Sequence, residues 1–231
     1  MIEYVVPGNI DDRILEKGAR VLAAGGLLAL PSDTSWNVVC SLHSKAGVKK
    51  LRRISGEREE RYFTLLCSDI SQFGEFCSID NTRFRLIKSL SPGPYVFILN
   101  TLAGTDKSLG RRRKELAVHI PNHPIPLAVI KTLGDPLYSI TAKKSMILGR
   151  GQEDEAAPVS ARRAAEDKDD TELPPIPERE LFEGGWELEE IEELDVILDP
   201  GEEQQRIFST ILDLTGDEAH PLRLGAGPWP I

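Results

Sequence analysis

Past the polar opening Asn9-Ile10-Asp11, apolar side chains recur at helical spacing: Ile14, Leu15, Val21 and Leu22 share a face, and Gly25-Gly26 ends the run. The pattern predicts a helix capped by Asn9 or Asp11, then a short buried strand over 27–30, broken by the loop Pro31-Ser32-Asp33-Thr34. A second helix is predicted over 46–54, with Val48, Leu51 and Ile54 on one face and Lys49, Lys50, Arg52 and Arg53 largely elsewhere. Strands follow over 63–67, 95–99, 116–120 and 137–141. Helices separate them over 82–90, capped by Asp80 or Asn81, and over 125–133, ended by Gly134. Leu188, Ile191 and Leu194 mark a short acidic helix over 186–194, and further strands are predicted over 196–198, 208–214 and 222–224. Apolar runs alternating with helical patterns indicate an α/β (α+β) sheet covered by helices.

The stretch 152–180 breaks this rhythm. It is acidic, carries the run Pro174-Pro175-Ile176-Pro177, and has few side chains whose burial offsets the entropy of ordering. The reading is a single domain formed by residues 1–150 and 181–231, interrupted by an acidic flexible insertion over 151–180. With 231 residues, 40% hydrophobic and 28% charged, the chain is long and apolar enough for a core, which excludes disorder of the whole. The net charge of −9 changes meaning once divided: residues 152–195 hold 17 acidic and 4 basic side chains, a local −13 that leaves +4 for the rest. An acidic segment is thus attached to a mildly basic domain, and anionic partners stay admissible. No apolar run approaches the ~18 residues of a membrane span, and the opening Met1-Ile2-Glu3-Tyr4 has no basic-then-apolar signal. A cytoplasmic protein with no membrane contact is expected. Cys40, Cys67 and Cys77, odd in number and without C-x-x-C spacing, read as reduced, buried thiols.

Several chemistries are absent. There is no phosphate loop, no G-x-G-x-x-G after a strand and no G-x-S-x-G elbow. His119 and His123 cannot face a metal from one helix turn, because Pro121 lies between them, so no metal site of protein ligands is expected. Three hydroxyls and a carboxylate in Pro31-Ser32-Asp33-Thr34-Ser35 follow a buried strand, where open sheets present ligand groups; the same residues also suit a self-capped turn. Basic residues cluster over 45–61 and 107–114 and at Lys143, Lys144 and Arg150, either as a phosphate- or RNA-binding face or as solvated surfaces. Ser209-Thr210 and Asp213 interrupt an otherwise apolar strand, and Arg223 stands on the last one.

In this order the pieces resemble the YrdC-like family, closest to its YciO branch. Pro31-Ser32-Asp33-Thr34 stands for the family's P-T-D-T, and Tyr62-Phe63-Thr64-Leu65-Leu66-Cys67-Ser68-Asp69 for a strand and turn. Ser91-Pro92-Gly93-Pro94 stands for P-G-P, and His119-Ile120-Pro121-Asn122-His123-Pro124 for R-V-P-x-x-P. Ser139-Ile140-Thr141-Ala142-Lys143 matches S-T-S-A-N, Ser209-Thr210-Ile211-Leu212-Asp213-Leu214-Thr215 matches S-T-V-V-D-L-T, and Leu222-Arg223-Leu224-Gly225 closes the series. The resemblance implies a twisted mixed parallel/antiparallel sheet flanked by helices, in one domain, around a concave positive surface. It also implies threonylcarbamoyladenylate synthesis from threonine, bicarbonate and ATP with Mg2+, a nucleotidyltransferase step in tRNA t6A modification, and in some members double-stranded RNA binding.

Carried over position by position, the implied substrate- and nucleotide-binding set is Ser32, Asp33, Thr34, Arg58, Arg61, His119, Ser139, Thr141, Lys143, Ser209 and Arg223; no catalytic residue is assigned. The sequence departs from the synthase pattern at the phosphate clamp. The family's K-x-R-P reads Ser55-Gly56-Glu57-Arg58, where a carboxylate would repel phosphate that an arginine attracts. A one-residue slip would let Arg58 replace the lost arginine. The R-V-P arginine reads His119, the final asparagine of S-T-S-A-N reads Lys143, and Trp36 and Asn37 are bulkier groups in the presumed substrate hollow. The expectation is a nucleotide- or RNA-binding protein whose synthase activity is weak or altered, with a non-enzymatic RNA-binding module as the alternative.

Overall fold

The computed structural model describes residues 1–55, 63–104, 114–147 and 177–229. In chain order the elements are β1 (Ile2–Tyr4), α1 (Asp12–Ala23), β2 (Leu28–Pro31), β3 (Trp36–Ser41), α2 (Lys45–Ser55), β4 (Thr64–Leu66), α3 (Ile70–Gly74) and α4 (Asn81–Leu90). They continue with β5 (Tyr95–Asn100), β6 (Glu115–His119), α5 (Pro124–Leu133), β7 (Leu137–Thr141), β8 (Val196–Asp199), β9 (Thr210–Asp213) and β10 (His220–Arg223). One sheet joins all ten strands in the order β1-β8-β2-β3-β7-β4-β6-β5-β9-β10. The pairs β1/β8, β8/β2, β4/β6 and β5/β9 are parallel and the others antiparallel. This is the mixed sheet with flanking helices, in one domain, that the sequence predicts.

The period of two along each strand divides the apolar residues between the sheet's faces. Leu28, Leu30, Val39, Leu66 and Leu137 pack under α1 and α5, against Leu15, Leu22, Ile125 and Val129. Gly18 lets α1 come close to β2, since a Cβ there would lie 3.1 Å from Leu28 Cδ2. The alternate set, including Ala29, Val38, Leu65, Phe97 and Val118, packs under α2, α3 and α4. Asp11, Asp69 and Asp80 cap α1, α3 and α4 by accepting backbone N–H groups of their first turns. Among the described residues no helix is long and apolar enough to cross a membrane, and all three cysteines are free and buried.

Five features depart from the sequence expectation. β1 has only three residues and sits at the sheet edge, so it shows no readable period. β3 is buried on both faces and therefore lacks alternation, and α3 is barely one turn. The acidic helix expected over 186–194 is a six-residue 3-10 stretch, Gly185–Glu190, whose Leu188 is buried. Residues 177–180, assigned to the insertion, carry a 3-10 turn at Glu178–Glu180, and Leu181 and Phe182 enter the core directly after it. The rest of the expected insertion, residues 151–176, lies outside the described residues.

Candidate functional site

Where α1 and α5 stop, the face they cover changes from apolar to polar. Register places Asn37 beside Thr141, and it aligns Ser139, Thr64, Ala117, Ile98 and Asp213 in one row across β7, β4, β6, β5 and β9. Thr64, Ala117, Ile98 and Thr141 are half-buried, whereas the intervening Leu65, Val118 and Phe97 are wholly buried, so this side of the sheet is open. Ser139 Oγ donates to Asn37 Oδ1 at 3.1 Å, and Asn37 Nδ2 donates to Ser35 O at 3.2 Å. The hydroxyls of Thr64 and Thr141 make no hydrogen bond among the described residues. The floor therefore offers free hydroxyls beside an apolar strip.

The β2–β3 turn forms one wall. Ser32 N donates to Ser35 O at 3.0 Å, and Ser32 Oγ donates to the same carbonyl at 2.8 Å. Ser32 Oγ lies 3.3 Å from Thr34 Oγ1, which in turn lies 3.4 Å from Ser209 Oγ, so three buried hydroxyls converge from two distant chain segments. The turn is thus self-capped, and its capping hydroxyls are the ones the sequence offers as ligand groups. Between the two hydroxyls, Asp33 turns the other way: its Oδ2 accepts the Asn122 N–H at 3.1 Å, at the entry to α5.

Asp33 Oδ1 lies 3.4 Å from His119 Nε2, while that ring nitrogen lies 3.0 Å from Gly93 O. Oδ1 is a buried oxygen without a hydrogen bond. Burial pushes the Asp33 carboxyl up, but the His119 ring and the Asn122 N–H outweigh it and hold the group below its ordinary 3.8. His123 caps α5 by accepting the Ile125 N–H on Nδ1, and burial lowers its pKa against the pull of Asp33 and Glu202. It is therefore neutral near pH 7.

Two cations border the face. Arg223 Nε and Nη2 both donate to Ser209 O, at 3.2 and 3.0 Å, and its guanidinium stacks 4.9 Å from the Phe208 ring centroid. Burial lowers its pKa without removing its charge. Lys143, one step past Ala142 on the Ser139–Thr141 side of β7, pairs with no carboxylate among the described residues. A guanidinium fixed by a carbonyl and an unpaired ammonium suit an anion. No cluster of three His, Cys, Asp or Glu side chains suited to a metal ion occurs among the described residues. A Mg2+ arriving with ATP would be coordinated mainly by phosphate and water.

Of the sequence-derived set, Ser32, Thr34, Ser209 and Arg223 come together along one wall, Asp33 and His119 meet beneath it, and Ser139, Thr141 and Lys143 lie on the adjoining floor. Arg58 and Arg61 lie outside the described residues. Trp36 corrects the expectation of a bulky group in the hollow: it points to the opposite face, wholly buried, with Nε1 donating to Glu183 O. Sequence reasoning passed over Thr64 as a site residue, although a lone hydroxyl in Phe63-Thr64-Leu65-Leu66-Cys67 marks the one position of that strand facing the opening. A groove of about 430 Å³ between α3 and α4, lined by Ile70, Cys77, Ile79, Phe84 and Leu102 among others, lies on the other face and has no charged lining.

A family model for Sua5, YciO and YrdC, described as telomere recombination, matches residues 20–152. The uncharacterized protein YciO of Escherichia coli is 31% identical over 137 residues, 59% of this chain and 66% of that protein. Threonylcarbamoyl-AMP synthase of Mus musculus is 26% identical over 124 residues, 54% of this chain and 44% of that protein. The chain thus spans less than two thirds of these curated relatives. The crystal structure of E. coli YciO matches with a TM-score of 0.71 at 24% identity, covering 100% of this chain and 98% of that one. P. abyssi Sua5 complexed with L-threonine matches with a TM-score of 0.71 at 19% identity, over 97% of this chain and 57% of that one. At such identities the two structures speak for the fold.

Proposed function

The chain belongs to the Sua5/YciO/YrdC family, and from that premise we propose that it binds L-threonine and ATP on the open sheet face and makes threonylcarbamoyladenylate as a weak or altered synthase. The observation that carries this reading is the convergence of the Ser32, Thr34 and Ser209 hydroxyls beside the fixed guanidinium of Arg223. The hydroxyls suit a small polar amino acid, and Arg223 with Lys143 suits phosphate oxygens. In the reaction, the threonine amine and bicarbonate condense to a carbamate with loss of water. A carbamate oxygen then displaces pyrophosphate from the α-phosphorus of ATP. The protein's part is to position the two reactants and to offset developing negative charge.

Weak or altered activity follows from what stands at the clamp. Where the family pattern has an arginine, His119 turns its Nε2 to the Gly93 carbonyl beside Asp33, so that nitrogen is not directed at phosphate as a guanidinium would be. The RNA-binding alternative is less well supported. Lys50, Arg53, Lys144 and Arg206 already pair with Asp195, Glu193, Glu187 and Glu183, which cancels much of the positive field those bases would present. A cytoplasmic setting is part of the same proposal, supported by three unpaired thiols.

The deciding experiment measures pyrophosphate release from ATP by the full chain, with and without L-threonine plus bicarbonate, beside an authentic synthase. Threonine-dependent release below the control rate is expected. Release no greater than without threonine would overturn the synthase reading, and RNA affinity that falls steeply and linearly in log salt would favour the alternative.

A further inference from the structure

Four segments meet around Asp33 and close into a ring. The β2–β3 turn reaches β6 through Asp33 and His119, and His119 reaches the Ser91-Pro92-Gly93-Pro94 turn through Gly93 O. Pro94 O accepts the Thr210 N–H at 2.9 Å, and the segment before Thr210 returns to the start: Ile207 N donates to Thr34 O at 3.3 Å, and Ser209 Oγ meets Thr34 Oγ1. His119 is the side chain in this ring that touches both the turn's carboxylate and the proline-rich turn.

The hydroxyl wall depends on that connection. Its internal contacts, at 3.3 and 3.4 Å, are long, so the hydroxyls are held mainly by the backbone turn beneath them. That turn is anchored through Asp33, on one side by the Asn122 N–H and on the other by the His119 ring. The ring's single Nε2 hydrogen is directed to Gly93 O, which leaves Asp33 Oδ1 with a dipolar attraction rather than a full hydrogen bond. A buried carboxylate oxygen in this state persists only where its surroundings hold it. The His119 Nε2 is taken up by Gly93 O and faces Asp33, so it is not directed at a ligand of the open face.

We infer that His119 is a positioning residue that sets the Ser32–Thr34 hydroxyl wall for the amino-acid substrate through Asp33, without touching that substrate. The inference rests on the proposed function for its substrate, and its structural half stands independently. His119→Gln keeps an N–H donor at similar reach, His119→Leu keeps bulk and removes the donor, and Asp33→Asn removes the charge. By calorimetry, His119→Leu should weaken L-threonine binding about tenfold and His119→Gln by no more than about twofold, the loss expected for one oriented hydrogen-bonding contact. The double variant His119→Leu/Asp33→Asn should bind no more weakly than the worse single variant, because the two act through one contact.

Amide hydrogen exchange supplies the arm that needs no ligand. The Ser32 and Ile207 amides should exchange about tenfold faster in His119→Leu and at the wild-type rate in His119→Gln, with the Val38 and Leu65 amides unchanged as evidence of an intact sheet. Additive losses in the double variant, or unchanged exchange at Ser32 and Ile207 in His119→Leu, overturn the inference. Should His119→Leu fail to fold, the comparison is made with Asp33→Asn, whose Ser32 exchange must also accelerate. Absence of L-threonine binding by the wild type defeats the functional reading, and the exchange result still decides whether His119 holds the wall.

Discussion

Asp33 shows how one side chain serves stability and site together. Its carboxyl is held below its ordinary 3.8, so its contribution to stability is fully present above that value and is lost as pH falls through the lower, folded value. Asp33→Asn should therefore cost about 1–3 kcal/mol near neutrality, a gap that closes below about pH 4 in urea titrations at a series of pH values. A gap constant from pH 3 to 7 would show that the carboxylate's charge is irrelevant. Arg223, tied to Ser209 O, should behave differently: Arg223→Ala is expected to weaken ATP binding at least about fivefold, measured by calorimetry, as one charge-assisted contact is lost. The thiols give a third test, because burial pushes Cys40 and Cys77 up to about 12 and Cys67 well above its ordinary value. All three should resist alkylation near pH 8 in the native protein and react together after denaturation. At this scale Ser32, Thr34, Ser209 and Arg223 could be read from the chain as polar interruptions of apolar runs. Asn37 was legible only through the family likeness and Thr64 only as a lone hydroxyl in an apolar strand, since which face they occupy depends on strands far away in sequence.

Among the elements, those with a full hydrophobic period were legible and the short ones were not. α1, α4 and α5 announce themselves by caps and by apolar faces, and Gly134, the left-handed C-cap of α5, was readable as a stop. β3 was invisible because burial on both sides erases the alternation that identifies a half-exposed strand. Two glycines separate conformational from packing costs. Gly134 has φ +82° with open space around a would-be Cβ, whereas Gly25 has φ +85° and a Cβ there would lie 2.9 Å from Ser44 Oγ and 3.0 Å from Ala46 Cβ. Gly134→Ala should cost about 1–2 kcal/mol for the left-handed backbone alone, and Gly25→Ala measurably more. Equal losses in thermal unfolding of the two variants would mean that Ser44 and Ala46 move aside freely.

For the molecule as a whole, the described part of the acidic segment is a structural layer. Phe182 and Leu188 are fully buried, and Trp36 donates to the Glu183 carbonyl, so residues 181–194 help cover the sheet face opposite the site. The accompanying ion pairs are half exposed, as in Arg53 with Glu193 at 3.2 Å, and such pairs contribute about 0–1 kcal/mol. Phe182→Ala should thus destabilise by about 3–5 kcal/mol, while Glu193→Gln should change stability by less than about 1 kcal/mol. Chemical denaturation of both variants checks this ranking; the reverse order would make charge the main tie of this layer.

The sequence by itself determined the alternation of strands and helices, the family likeness and most of the polar residues offered as ligands, because caps, breakers and apolar periods act within a few neighbouring residues. It also separated an acidic stretch from a mildly basic remainder. Only the tertiary structure decided which face of the sheet is open, that Trp36 points away from it, and that His119 lies beneath the wall rather than on it. Those outcomes depend on strand order and register, which are fixed by pairing segments distant in the chain and by how far α1 and α5 extend across the sheet.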